Sequence, residues 1–210
     1  MKKTKKKLWM ILGLSALIVA GTTLAIWHQN IQKTNNLKAD SMKATVTEKY
    51  TPSTPDSTVT KEVSFKNDGT TDAFLRVAYV ENWQKEDAEG NSVLLSNKAN
   101  GTEVAVKNWT KSFSDYWQDG KDGWFYYKYV LQSGESTEKI LNSVTFPDYR
   151  QEAYKSYADA DYSLYFKVEM LQASTGDATL NKDKVNEEAS KTVFGKSATV
   201  DYVYKTVTWK

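Results

Sequence analysis

The stretch Gly123–Phe146, GWFYYKYVLQSGESTEKILNSVTF, constrains the fold more than any other part of the sequence. If it is extended, Trp124, Tyr126 and Val130 share one face, and Phe125, Tyr127, Tyr129 and Leu131 share the other. A run that is apolar on both faces and rich in strand formers predicts a strand buried between two layers. Ser133, Gly134 and Glu135 supply turn chemistry, and Ile140, Val144 and Phe146 carry the chain back. No catalytic constellation lies in the stretch, which reads as scaffold.

The surrounding segments repeat this theme. Alternation starts at Met42, with Met42, Ala44 and Val46 facing one way, and predicts a half-buried strand. Thr51–Ser57 holds two of the three prolines and predicts a loop. Val59, Val63 and Phe65 mark the next strand, and Lys66–Thr70 (KNDGT) is a turn signal. Ala73–Trp83 is apolar on both faces apart from Arg76. Gln84–Asn108 reads as loops and short edge strands, around Val93–Leu95 and Val104–Val106. Trp109, Phe113, Tyr116 and Trp117 recur at three- and four-residue spacing and predict one or two helical turns. Pro147–Asp161 predicts a short helix, and Tyr162–Gln172 a strand with Tyr162, Leu164, Phe166, Val168 and Met170 on one face. Thr179–Lys191 predicts a helix facing inward through Leu180, Val185 and Ala189. Ala198–Trp209 predicts one last strand, with Val200, Tyr202 and Tyr204 on one face and Val203, Val207 and Trp209 on the other.

About eight strands separated by turn signals predict an all-β fold, a jelly-roll-like two-layer β-sandwich with short helical insertions. An N-terminal signal helix precedes it. Lys2, Lys3, Lys5, Lys6 and Lys7 lead into an apolar run from Leu8, and Thr23 and Ala25 form a cleavage site for a signal peptide. The run is also long enough for an uncleaved membrane anchor, the chain's one route to a membrane. The expected organisation is 1–25 signal peptide, 26–41 flexible segment and 42–210 a single β-sandwich domain. The formal charge of +2 rests on those lysines, since without residues 1–25 it becomes −3. A mildly acidic remainder points away from nucleic acid. With no Cys and one His (His28), the chain offers no thiolate metal site and no helical His pair.

Four segments in this order resemble the SipW-dependent biofilm-matrix proteins of Gram-positive bacteria, the TasA-like and BsaA-like fibre subunits. They are the lysine-rich start ending in GTTLA, KEVSFKNDGTTDAFLR (Lys61–Arg76), DGWFYYKYVLQSGESTEKILNSVTF (Asp122–Phe146) and YFKVEMLQA (Tyr165–Ala173). Here IWHQN follows the cleavage site, where the family often carries an aromatic and acidic stretch. The resemblance implies a SipW-type signal peptidase, a secreted jelly-roll subunit in an extracellular matrix or on the cell surface, and self-assembly. In such fibres one subunit's N-terminal segment completes the next subunit's sheet. The candidate donor is Ile26–Leu37, through Ile26, Trp27, Ile31 and Leu37; the alternative is a disordered leader.

The BsaA-like branch also implies isopeptide cross-links. That chemistry needs a neutral lysine, an Asn or Asp acyl partner and a protonated acid, all in an apolar setting. Lys128, among tyrosines, and Glu169 come nearest to that setting; ordinary solvent-facing strand positions are the alternative.

A metalloprotease label travels with relatives of the family, but the chain lacks His-Glu-x-x-His. Asp115, Asp119 and Asp122 lack EF-hand spacing and read as solvated loop acids. The expectation is a non-enzymatic chain with no cofactor or metal. The rival reading is an extracellular surface- or carbohydrate-binding module with Trp109, Trp117 and Trp124 as its platform. Their apolar periodicity favours core positions instead.

Overall fold

The structure, a computed structural model, describes residues 47–50, 56–175 and 181–210. All of them belong to one unit, Lys43–Lys210. The signal segment with Ala25, the candidate donor residues Ile26, Trp27, Ile31 and Leu37, and the strand start at Met42 lie outside the described residues.

In chain order the strands are β1 (Thr47–Tyr50), β2 (Thr58–Val63), β3 (Ala73–Glu86), β4 (Ser92–Leu95), β5 (Lys98–Ala99) and β6 (Thr102–Glu103). They continue as β7 (Val106–Trp109), β8 (Trp117–Asp119), β9 (Phe125–Tyr127), β10 (Leu141–Thr145), β11 (Asp161–Gln172), β12 (Ala198–Asp201) and β13 (Thr206–Trp209). Among the described residues, helical structure is limited to one turn at Phe113–Tyr116, a 3-10 helix at Glu152–Tyr157 and helix α1 (Lys182–Phe194). The pairs β1–β11, β2–β10, β7–β10, β3–β11, β3–β4, β3–β9, β8–β9, β5–β6 and β12–β13 are all antiparallel. Among the described residues, helices serve mainly to cover sheets.

The fold is built on β3 and β11, which pair over their whole shared length from Gln84↔Asp161 to Ala73↔Gln172. β1 lies beyond β11, while β9 and then β8 lie beyond β3, with β4 pairing the far end of β3. A second sheet has the order β2-β10-β7, with a bulge between Leu141 and Ser143. Alternation sends Leu75, Val77 and Trp83 of β3, and Tyr162, Leu164 and Phe166 of β11, to one side. There they share a core with Val63, Leu141 and Val144 of the second sheet. At its centre Trp83, fully buried, meets Phe146 and Tyr157 edge-on, with ring centroids 5.9 and 5.1 Å apart. Its indole N–H donates to Asn97 Oδ1 at 2.9 Å, so burial leaves no orphaned polar group there.

The other face of the main sheet carries a second core. Phe74, Tyr126 and Val130 pack against Phe194 of α1 and Ala198, Val200, Val207 and Trp209 of the C-terminal hairpin. The run Trp124–Leu131 therefore packs on both faces, as its sequence requires. Tyr126 and Val130, with Trp124, join the second core; Tyr127 and Leu131, with Phe125 and Tyr129, join the first. The ladder itself is short. Between Tyr127 and Leu131 the chain keeps single bridges, Tyr129↔Thr206 and Leu131↔Ala73, before β10 resumes a ladder at Leu141.

Two sequence expectations need correction. Ala198–Trp209 is a hairpin rather than one strand, so Val200 and Val207 are paired and Val203 and Tyr204 sit exposed at its tip. The turn uses Asp201, whose Oδ1 accepts from the N–H of Val203 (2.9 Å) and Tyr204 (3.2 Å), and a left-handed Lys205 (φ 54°). Helix α1 does not face inward through Val185, which is exposed, or Ala189, which is only half-buried, and Leu180 lies outside the described residues. Its buried residues are Asn186, Ser190 and Phe194, two of them polar. Asn186 bonds both backbone groups of Ser174 (2.8 and 3.0 Å), and Ser190 Oγ accepts from Ala198 N–H at 2.8 Å. Asn181 caps the start through Lys184 N–H, and Gly195 ends the helix at φ 75°, where a side chain would be strained.

Replacing Trp83 by Ala is expected to cost about 3–5 kcal/mol, as large-to-small changes in packed cores do. Val203→Ser, at the exposed tip, should change stability by less than about 0.5 kcal/mol. Urea unfolding followed by circular dichroism checks both; equal losses would contradict this placement of the core.

Candidate functional site

Arg76 is the one charged residue in Ala73–Val80 and points away from the first core. Its cross-strand neighbour is Glu169, whose Oε2 accepts from Arg76 Nε and Nη2 at 2.9 and 2.6 Å. Arg76 Nη1 also donates to the carbonyl of Phe194 at 2.6 Å, at the end of α1 where carbonyls lack helical partners. The guanidinium lies 4.2 Å from the Trp124 ring centroid and 4.5 Å from that of Phe194. Lys167 Nζ reaches the other carboxylate oxygen of Glu169 at 2.7 Å. Burial alone would push the Glu169 carboxyl up, but hydrogen bonds from Lys167 and Arg76 outweigh it and hold it below its ordinary range. Burial, followed by the hydrogen bond to Asp122, pushes the Tyr126 hydroxyl up to about 12.

A second ion pair joins the two sheets. Lys107 of β7 has a side chain only 3% exposed, and its Nζ lies 2.9 and 2.8 Å from the two oxygens of Glu81 on β3. Tyr162 donates its hydroxyl to the same carboxylate at 2.7 Å, and Glu103 approaches Lys107 at 3.3 Å. The strand puts its lysine inside and leaves Val106 40% exposed, the reverse of the usual order. Sequence reasoning missed this site. Its signal was Glu81, a charge in phase with Leu75, Val77 and Trp83 on the apolar face.

Lys128 and Glu169 are engaged by different partners. Lys128 Nζ donates to the Ser114 carbonyl at 2.9 Å, while Glu169 is held by Arg76 and Lys167. Glu169 is thus kept as a carboxylate, whereas isopeptide closure calls for a protonated acid. Asp119 and Asp122 serve their own turn: Asp119 accepts from Lys121 N–H at 2.8 Å and Asp122 from Trp124 N–H at 3.0 Å. Gly120 is required there, because a Cβ would collide with the Tyr126 ring. Among the described residues, no group of three or more His, Cys, Asp or Glu could hold a metal ion. The tryptophans go to separate places. Trp117 is buried in the first core against Phe65 and Tyr127, Trp109 is partly buried against Tyr79 and Phe125, and Trp124 lies over Arg76.

The remaining chemistry lies in the sheet margins. Among the described residues, β2 and β7 each pair only with β10, β8 only with β9, and β4 only with β3. Such strands present one row of backbone N–H and C=O groups outward. Two cavities among the described residues are modest. One of about 170 Å³ is lined by Asp72, Val130, Thr175, Val200, Tyr202 and Lys205, and a shallow one of about 370 Å³ lies at Lys85, Glu86 and Asp159. Comparison with protein-family models, with curated proteins and with solved structures returns no match.

The pair at Arg76 sets an acid dependence. A carboxylate whose folded pKa is lowered adds stability above its unfolded value, ordinarily 4.5, and loses it as pH falls through the folded value. The native chain should therefore exceed Glu169→Gln by about 1.5–3 kcal/mol near neutral pH, the range for hydrogen bonds to charged groups. The gap should narrow below pH 4.5. Urea midpoints across the acid range measure this; a gap independent of pH would contradict an ionised Glu169.

Proposed function

We propose that the chain is an exported structural subunit of an extracellular biofilm-matrix or pilus-like fibre. In this reading residues 1–25 are a signal peptide removed after Ala25 by a SipW-type peptidase. The rest is a secreted jelly-roll-like domain whose partner is a second copy of itself. Assembly runs head to tail, with Ile26–Leu37 of one subunit added as a strand to the next through Ile26, Trp27, Ile31 and Leu37. A head-to-tail contact does not close on itself, so it propagates into a filament.

One observation supports this reading above the rest: the second sheet has three strands, and β2 and β7 are both paired on one side only among the described residues. An added strand satisfies an open row of backbone groups, and alternate side chains give specificity. Three or four apolar anchors at about 1.5–3 kcal/mol each give a gross gain of several kcal/mol before ordering costs. The dispersal of Trp109, Trp117 and Trp124 supports this reading over a carbohydrate-binding platform.

A chain beginning at Ile26 should form fibres visible by electron microscopy, whereas one beginning at Asp40 should stay dispersed at the same concentration. Equal fibre formation by both would remove the donor role from Ile26–Leu37. Isopeptide linkage is read separately, by intact mass. Loss of water or ammonia marks a cross-link; fibres that dissolve in denaturant to chains of full mass are held by strand exchange alone.

A further inference from the structure

The sequence holds Asn-Gly once, at Asn100–Gly101. The two residues form the loop between β5 and β6, whose register is Lys98↔Glu103 and Ala99↔Thr102. Both are left-handed, Asn100 at φ 50° and Gly101 at φ 83°, as a two-residue hairpin turn that matches strand twist requires. The base of this hairpin is clamped by Asn97. Its Oδ1 accepts from Ala105 N–H at 2.7 Å, its Nδ2 donates to the Ala105 carbonyl at 3.0 Å, and its own carbonyl accepts from Val104 N–H at 3.1 Å. The tip stands clear of that clamp. Asn100 and Gly101 are exposed, and a Cβ at Gly101 would meet nothing within 4 Å. Among the described residues, no hydrogen bond engages the Asn100 carboxamide.

We propose that Asn100 is a self-modifying site, an asparagine that the native turn leaves free to deamidate through a succinimide. The Gly101 backbone nitrogen gives up its proton and attacks Asn100 Cγ. The new N–Cγ bond closes a five-membered imide, and the side-chain nitrogen takes up that proton and leaves as ammonia. Water then adds across one of the two imide C–N bonds. Breaking the bond to Cγ gives aspartate; breaking the bond to the backbone carbonyl gives isoaspartate, with an extra methylene in the main chain. Attack requires the backbone to rotate until the Gly101 nitrogen faces Cγ, and glycine, lacking a Cβ, permits both the rotation and the close approach.

Other asparagines are held. Asn67 donates Nδ2 to the Thr71 and Leu131 carbonyls at 2.8 and 3.0 Å, and its Oδ1 accepts from Gly69 N–H at 3.0 Å. Asn108 donates to Ser143 and Thr145, and Asn186 bonds Ser174. Each is followed by a residue with a side chain, Asp68, Trp109 and Glu187. Deamidation therefore places a new carboxylate at the β5–β6 tip, while the Asn97 clamp, which also accepts the Trp83 indole N–H, keeps the change out of the core. This inference rests on the β5–β6 turn and not on the fibre reading.

The test is incubation of the folded, full-length chain at mildly alkaline pH, followed by peptide mapping with mass spectrometry. The peptide carrying Asn100 should gain one mass unit and split into two products, one of them a substrate for isoaspartyl methyltransferase, and the rate should rise with pH. Asn100 should react ahead of Asn67, Asn97, Asn108 and Asn186. In Asn100→Gly, which keeps the left-handed turn, the gain on that peptide should vanish. Asn100→Asp, one of the two products, should keep the native urea midpoint. An Asn100 that stays intact in the folded chain yet deamidates once urea unfolds it would overturn the proposal, because the turn would then be locking it. So would earlier reaction at any of the held asparagines. An Asn100→Asp midpoint lowered as far as that of Asn97→Ala would overturn the confinement of the change to the tip.

Discussion

A sheet that carries apolar side chains on both faces has to be covered twice, and that requirement arranges this molecule. β3 supplies Leu75, Val77 and Trp83 to one face and Phe74 to the other. The first face is met by the β2-β10-β7 sheet, the second by α1 and the C-terminal hairpin. Gly123–Phe146 runs between the two cores and feeds aromatic rings into each, so its double-sided pattern follows from where it lies.

Charges appear inside this arrangement only where their partners are fixed. Arg76 is planar, permanently charged and able to donate in several directions at once. It ties β11 through Glu169 and the last turn of α1 through the Phe194 carbonyl. Lys107 and Glu81 do the corresponding work between the sheets, with Tyr162 satisfying a further carboxylate lone pair. Removing one member of such a pair strands the other in a poorly hydrated place. These contacts act as pins that choose one packing of apolar layers.

The long strands were legible because alternation persists over enough residues to set a period: β3 and β11 fall within a few residues of where Ala73–Trp83 and Tyr162–Gln172 place them. The single turn at Phe113–Tyr116 follows from aromatic spacing in the same way. The C-terminal hairpin was not legible because its turn carries neither glycine nor proline. An aspartate side chain stands in for them, and Lys205 takes the left-handed conformation. The inward face of α1 was hidden for another reason. Asn186 and Ser190 are buried through hydrogen bonds to named backbone groups, and no hydrophobic pattern registers that. Lys107 escaped notice because its burial depends on Glu81, 26 residues away in sequence. Ile26, Trp27, Ile31, Leu37 and Ala25 lie outside the described residues, so the assembly reading draws its structural support from the sheet margins and the dispersal of the tryptophans.

The α1–hairpin layer is attached to the main sheet by a small second core, the Arg76 contacts and a few backbone bonds such as Val207 N–H to the Lys128 carbonyl at 2.8 Å. β3 and β11 are instead paired along their whole shared length and buried beneath the second sheet. Regions so unequal in attachment open independently. The helix and hairpin can lift away as one cooperative unit while the paired strands stay protected, so native-state amide exchange would divide the domain into an early-opening cap and a slow-exchanging sandwich.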